Sequence, residues 1–193
     1  MTALGQLFVA SLLSPRDAAH RLLGQGLDAR AGVLGLLATV ILGVLVLFGL
    51  NGFAPVRLLP GMDPISPLVF AAMVLVTNLL LILALLLAGR MFGGTAGLAD
   101  GLVLFAWLQF MQLGLQICTT ILAFVLGPVL GAPVAFVAMI IIFWMFFNFI
   151  LVWQNFDSMW KAVVTVFLAL LAISFVFSNI LLMAGGMPAG AGL

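Results

Sequence analysis

The chain has 193 residues, of which 66% are hydrophobic and only 6% charged. A soluble domain carries roughly a quarter of its residues charged, so water cannot be the main solvent of this one; lipid must be. Six Lys and Arg stand against five acidic residues, with no Glu, and the net charge of +1 excludes both a basic field for nucleic acid and an acidic field for cationic ligands.

In chain order, the apolar start Leu4 to Leu13 lacks the preceding basic region of a secretory signal. Ser14-Pro15-Arg16-Asp17 follows where a small-residue cleavage site would be needed. Leu4, Leu7, Phe8 and Leu12 fall on one helical face. Ser14-Pro15 reads as an N-cap with proline at the first helical position. Arg16, Asp17, His20 and Arg21 then mix with Leu22 and Leu23. Residues 1–30 are therefore expected to be an amphipathic interfacial segment on the cytoplasmic surface. It would serve as a membrane-resting anchor or, in the functional reading, as a docking surface.

Five uncharged apolar stretches follow: Ala31 to Phe53, Pro67 to Ala88, Gly101 to Leu126, Val134 to Trp153, and Ala162 to Ala184. Each can cross a core about 30 Å thick as a helix of about 20 residues. None alternates polar with apolar as a barrel strand would. The expected fold is all-α, a polytopic transmembrane helical bundle of five spans over residues 31–184, with a flexible tail over 185–193. Pro and Gly mark the first three connections, the third being a tight turn from Gly127 to Pro133. Arg16, Arg21, Arg30, Arg90 and Lys161 lie on one side of the bundle and Arg57 alone on the other, which predicts a cytoplasmic N-terminus and an extracytoplasmic C-terminus. Trp153 and Trp160 flank the fourth loop as interfacial aromatics. Cys118, the single cysteine, is read as a buried packing thiol and excludes an internal disulfide.

The strongest polar pattern is Gln109, Gln112 and Gln116 on one face of the third span. Amides facing lipid would leave donors and acceptors unpaired. The stripe is either interhelical glue, with Asn78 or Asn148 as partners, or one wall of a polar cavity for a headgroup or small solute. Ala31, Gly35, Thr39 and Gly43 form a small-residue ridge expected to pack internally. A second candidate surface is a cytoplasmic docking face of Arg16, His20, Arg21, Arg90, Asp157 and Lys161. His20 is the only histidine, and no charged residue lies inside a span. There is no nucleophile elbow and no phosphate-binding loop ending in Lys-Ser or Lys-Thr. The chain is therefore expected to be no enzyme and to use no metal or cofactor.

Several segments carry a family resemblance. They are Ser14-Pro15-Arg16-Asp17-Ala18-Ala19, Gly89-Arg90-Met91-Phe92-Gly93-Gly94, and the aromatic fourth span ending near Trp153 with Lys161-Ala162 opening the fifth. With five spans, this layout resembles the Yip family of Rab-interacting membrane proteins and their bacterial relatives, from about Ser14 to Met183. Eukaryotic members carry an Asp-Leu-Tyr-Gly-Pro motif, and this chain has no tyrosine. A Rab-type GTPase partner is therefore not supported. The resemblance implies a prokaryote-like member in a bacterial inner membrane, a non-enzymatic scaffold or interaction partner for lipids and for membrane proteins, whether another protein or a second copy of itself. The alternative is a transporter or channel for a neutral or lipidic solute lined by the glutamine stripe.

Overall fold

The structure, a computed structural model, describes residues 3–49, 52–57 and 63–185. The expected tail beyond Gly185 and the centre of the first loop lie outside the described residues. Seven helices follow in order: α1 Ala3–Leu13, α2 Pro15–Leu23, α3 Ala29–Gly49, α4 Pro67–Met91, α5 Leu98–Gly127, α6 Gly131–Trp153 and α7 Met159–Gly185. The five from α3 to α7 are each long and apolar enough to cross a membrane. The expected spans match them to within a few residues. The third connection is shorter than the expected turn. The chain reverses at Gly127, whose φ of 77° suits a residue without Cβ, and α6 has begun by Gly131.

Consecutive spans run up and down. One end of the bundle gathers α2, the start of α3, the α4–α5 loop and the α6–α7 loop; it carries Arg16, Arg21, Arg30, Arg90 and Lys161 and is called here the basic end. The far end carries Arg57 and a single antiparallel bridge between Val56 and Ile65. α3 buries the stripe Gly32, Leu36, Val40, Val44 and Phe48. A Cβ on Gly32 would collide with Leu102 and Val103, and one on Gly35 would press on Ala106. The small-residue contact is thus internal, as expected, but it is centred on Gly32 and Gly35, because Gly43 has no neighbour within reach of a Cβ. α4 packs on α7, and α6 runs antiparallel to α5, with Phe146 edge-on to Phe105 at 6.1 Å.

The two N-terminal helices part company. α2 lies across the basic end, its Pro15, Ala18, Ala19 and Leu22 buried. α1 instead descends beside α5. Trp107 Nε1 donates to Ser11 Oγ at 2.8 Å, and the Phe8 ring sits where a side chain on Gly114 would be. Gly114 lies about 10 Å further along α5 than Trp107, on the middle turns of that span. The cause is composition. α1 is apolar all round rather than amphipathic, and its one buried hydroxyl, Ser11, is satisfied by Leu7 O and Trp107. A helix of that kind is more stable against protein and lipid than along a wet surface. Ser14 holds the N-cap position of α2 with Pro15 next, but its side chain makes no capping bond.

Candidate functional site

The most tightly built part of the molecule is where α4, α5 and α6 meet at the basic end. α4 ends in a Schellman motif: Gly93 N donates to Arg90 O at 3.2 Å and Gly94 N to Gly89 O at 2.9 Å. Gly93 takes φ 80°, the left-handed position that this cap needs. α6 ends the same way. Asn155 N donates to Val152 O at 3.1 Å and Phe156 N to Leu151 O at 2.9 Å, with Asn155 at φ 56°. The two caps are joined by Thr95 N donating to Gln154 O at 3.2 Å.

Gln154 is the bolt of this assembly. It is 0% exposed. Its Nε2 donates to Leu85 O at 3.0 Å, and its amide fills the space that side chains on Gly89 and Gly94 would occupy. Its Oε1 is buried without a partner among the described residues. Next to it, Trp153 lays its ring over Gly101, where a Cβ would clash, and its Nε1 donates to Gly97 O at 2.8 Å. Trp153 is therefore a packed core residue and not an interfacial aromatic, because Gly101 and Gly97 give its ring and its N–H a site inside. Trp160 is 72% exposed.

The expected docking residues surround this knot. Arg16 reaches inward: its Nε donates to Asn148 Oδ1 at 2.7 Å, while Asn148, 3% exposed, donates from Nδ2 to Trp144 O at 2.7 Å. His20, Arg21 and Arg90 are exposed. Lys161 Nζ pairs with Asp157 Oδ1 at 2.7 Å. That hydrogen bond, the backbone N–H of Asp157 itself and the Lys161 charge hold the Asp157 carboxyl below its ordinary value.

The glutamine stripe does not act as one unit. Gln109 Nε2 donates to Asn78 Oδ1 at 2.9 Å, an interhelical bond of the expected kind, and Asn78 Nδ2 donates to Val74 O at 2.8 Å. Asn148 is not part of this network, since Arg16 and Trp144 take up its amide. Gln112 and Gln116 are exposed, and neither side chain forms a hydrogen bond among the described residues. The reason is that α5 leaves the packed region beyond Leu113. Cys118, on the same stretch, is likewise exposed and is not the buried thiol expected. Among the described residues, no cluster of His, Cys and Asp has the makings of a metal site.

Sequence reading did not single out Gln154. Its only local signal is position, a polar residue directly after the aromatic fourth span, while its glycine partners lie some sixty residues upstream.

Fold and composition together define an integral membrane protein with five membrane-crossing helices. The Yip1 domain family model matches residues 9–180, and the chain belongs to that family. Neither the curated proteins nor the solved structures contain a match to it.

Proposed function

We propose that this Yip1-domain protein is a non-enzymatic membrane scaffold that binds a membrane-protein partner through its basic end. In this reading the basic end faces the cytoplasm, the C-terminus lies outside, and the membrane is a bacterial inner membrane. The observation that carries the reading is the rigidity of the basic end. Two interlocked helix caps, bolted by Gln154 and Trp153, present Arg90 and the Asp157–Lys161 pair beside α2, which Arg16 pins to Asn148. Fixed charged groups on a pre-organised surface lose little entropy on docking. Their excess of Arg and Lys supports the cytoplasmic orientation. No nucleic acid or Rab-type GTPase enters this reading.

Photoreactive amino acids placed singly at Arg90, Asp157 and His20 should give discrete protein adducts in membranes. The same probe at Val56 or Ile65 should not, and Arg90→Glu with Lys161→Glu should abolish the adducts of the His20 probe. Adducts at the far end only would overturn the reading. A second reading draws on the exposure of Gln112 and Gln116, a path for a neutral or lipidic solute. It requires proteoliposome flux that Gln112→Leu removes without unfolding the protein.

A further inference from the structure

We infer that the seam between α4, α5 and α6 in the far half is a hydrated recess for small uncharged solutes bearing hydroxyl or amide groups. It is open at the far end and closed toward the basic end, and its binding groups are the amides of Gln112 and Gln116. This rests on the second reading's premise that these amides meet water or solute, and it gives the site one mouth in place of a path. The docking face at the basic end plays no part in it.

Helical spacing fixes where the amides point. At about 100° per residue, Phe105, Gln109, Gln112, Gln116 and Ala123 fall within about 60° of arc on α5. Contacts are defined at three levels of this arc. Phe105 meets Phe146 and Trp153 of α6 edge-on, each at 6.1 Å. Gln109 Nε2 donates to Asn78 Oδ1 of α4 at 2.9 Å. Ala123 fills the space beside Gly131 of α6. The stripe therefore faces the seam that α4 and α6 border, and not the outer surface of the bundle. Gln112 and Gln116 lie between these contacts and are exposed, so the seam is open at their level.

Depth makes the exposure informative. Gln116 and Gln112 stand about 16 and 22 Å from Gly127 along α5, inside a hydrocarbon core about 30 Å thick. A glutamine amide has two N–H donors and a carbonyl acceptor, and hydrocarbon satisfies none of them. Gln109 obtains its bond from Asn78, whereas neither exposed glutamine has a bonding partner among the described residues. A neighbouring span would meet α4 and α6 before it met the stripe, while small molecules enter between them.

Toward the basic end the seam is shut. The Phe105 ring, 3% exposed, lies one turn beyond Gln109, and further on Gln154 joins α6 to α4 through Leu85 O at 3.0 Å. Toward the far end, the hydroxyls of Thr119 and Thr120 are both spent on Gln116 O, at 2.9 and 2.8 Å. The glutamine amides are thus the groups left to bind. From Ile65 to Gly89 and from Gly101 to Phe156 the chain has no charged residue, so these walls cannot offset the desolvation of an ion. Amides that both donate and accept suit hydroxyl and amide groups instead.

The test uses the full chain in oriented proteoliposomes, with an impermeant cationic methanethiosulfonate added to one side at a time. The reagent attacks thiolate, which forms in water and not in hydrocarbon. Gln112→Cys and Gln116→Cys, each combined with Cys118→Ala, should react from the far side at least tenfold faster than Cys118 of the parent. Cys118 is exposed too, but it lies more than about 100° around α5 from the stripe. Gln116→Phe, which narrows the mouth, should slow the reaction of Gln112→Cys about fivefold. Glycerol should slow both cysteines at least twofold more than it slows a free thiol in water; equal slowing would overturn the solute class. Rates no higher than that of Cys118 would leave the amides in lipid and overturn the recess. So would reaction from the basic-end side alone, or disulfide-linked dimers through Gln112→Cys, which would put a second copy on the stripe. Reaction from both sides would overturn the closed end and support a path. Labelling from the far side alone, with no solute flux, would remove the path and leave the recess, so the two can fail separately.

Discussion

The two halves of α4 are almost equally apolar and have different surroundings. Toward the basic end, Ile82, Leu85, Leu86, Ala88 and Gly89 are buried. Toward the far end, Leu68, Val69, Met73, Val76 and Leu79 are exposed. α7 divides the same way, with Ala162, Thr165, Val166 and Ala169 buried and Phe175, Val176 and Phe177 exposed. α3 keeps a buried stripe along its length, down to Phe48, which meets Phe70 at 5.6 Å, and α6 keeps one from Gly131 through Ala138 and Met145 to Trp153. The difference follows the distribution of small residues. Gly89, Gly94 and Gly101 let Gln154 and Trp153 enter the basic half. The far half, with Phe124, Val125, Phe136 and Phe175, has bulk on the outside of its helices, and its close approach is confined to Gly131 against Ala123 beside the α5–α6 turn. Helices in lipid associate by close packing and interhelical hydrogen bonds, since lipid tails are as apolar as leucine. Hydrophobicity alone therefore makes a span without telling it what to touch.

The largest effect that can break this contrast comes from filling the glycine gaps. Gly101→Val or Gly89→Val would force apart groups with no room to move and should lose about 3 kcal/mol or more, enough to remove most folded protein. Phe124→Ala in the far half, at a residue 91% exposed, should change stability by no more than about 0.5 kcal/mol. Thermal unfolding in detergent, read by loss of the monodisperse peak, checks both. Equal losses at the two sites would remove the distinction between the halves.

Gln154 sharpens the contrast by separating shape from polarity. Gln154→Ala leaves a void between two caps and should cost about 2–4 kcal/mol. Gln154→Met keeps the volume, and it removes the unpaired Oε1 together with the bond to Leu85 O, so it should cost less than about 1.5 kcal/mol. If Met is as damaging as Ala, the amide is needed for more than space.

The Arg16–Asn148 bond ties α2 to the packed half. Arg16→Ala leaves a buried acceptor unpaired and should cost about 1–3 kcal/mol. A double-mutant cycle with Asn148→Ala should give a coupling of about 1 kcal/mol. Zero coupling would mean that α2 is held by its apolar face alone. The Gln109–Asn78 bond, at the boundary where packing gives way, should be weaker still. Gln109→Leu should cost roughly 0.6 kcal/mol, the average for such bonds in a membrane protein.

The spans were legible because length and hydropathy are local. The motifs Gly89 to Gly94 and Trp153 were legible as motifs but not as partners. A Schellman cap can be read from Gly93-Gly94, yet nothing near Gly94 announces that Gln154 will fill the space above it. The glutamine stripe was half legible. Helical spacing placed Gln109, Gln112 and Gln116 on one face, but spacing does not say how far along α5 a neighbour follows that face. The same gap explains Cys118. Its apolar context predicts burial in protein, while in a membrane apolar context also fits a residue that faces lipid. α1 was legible as far as its length allows: an apolar stretch too short to cross rests on the leaflet or on the bundle, and nothing near it announces that α5 offers Gly114 for its Phe8.

The smallest expected effect belongs to the Asp157–Lys161 pair, outside the packed half altogether. The pair is close, 2.7 Å, but solvent screens it, and exposed pairs of this kind contribute little. The sign of its pH dependence is nevertheless defined. The Asp157 carboxyl is held below its ordinary value by the Lys161 hydrogen bond first, then by its own backbone N–H and the Lys161 charge. A carboxylate with a lowered folded-state pKa stabilises above its unfolded pKa, near 3.9, and loses that contribution as pH falls through the folded value. Asp157→Asn and the parent should therefore unfold at the same temperature, within error, from pH 5 to 8 in 150 mM salt. Any gap at low salt should close only as pH falls through that lowered folded-state value, below which both carry a neutral side chain. A drop of several degrees at pH 7 in the Asn variant would place the pair inside the rigid knot and extend the packed half to its charged rim. No drop, together with loss of partner adducts when Lys161 is reversed to Glu, would assign these charges to recognition and leave stability to the glycines, Gln154 and Trp153 beneath them.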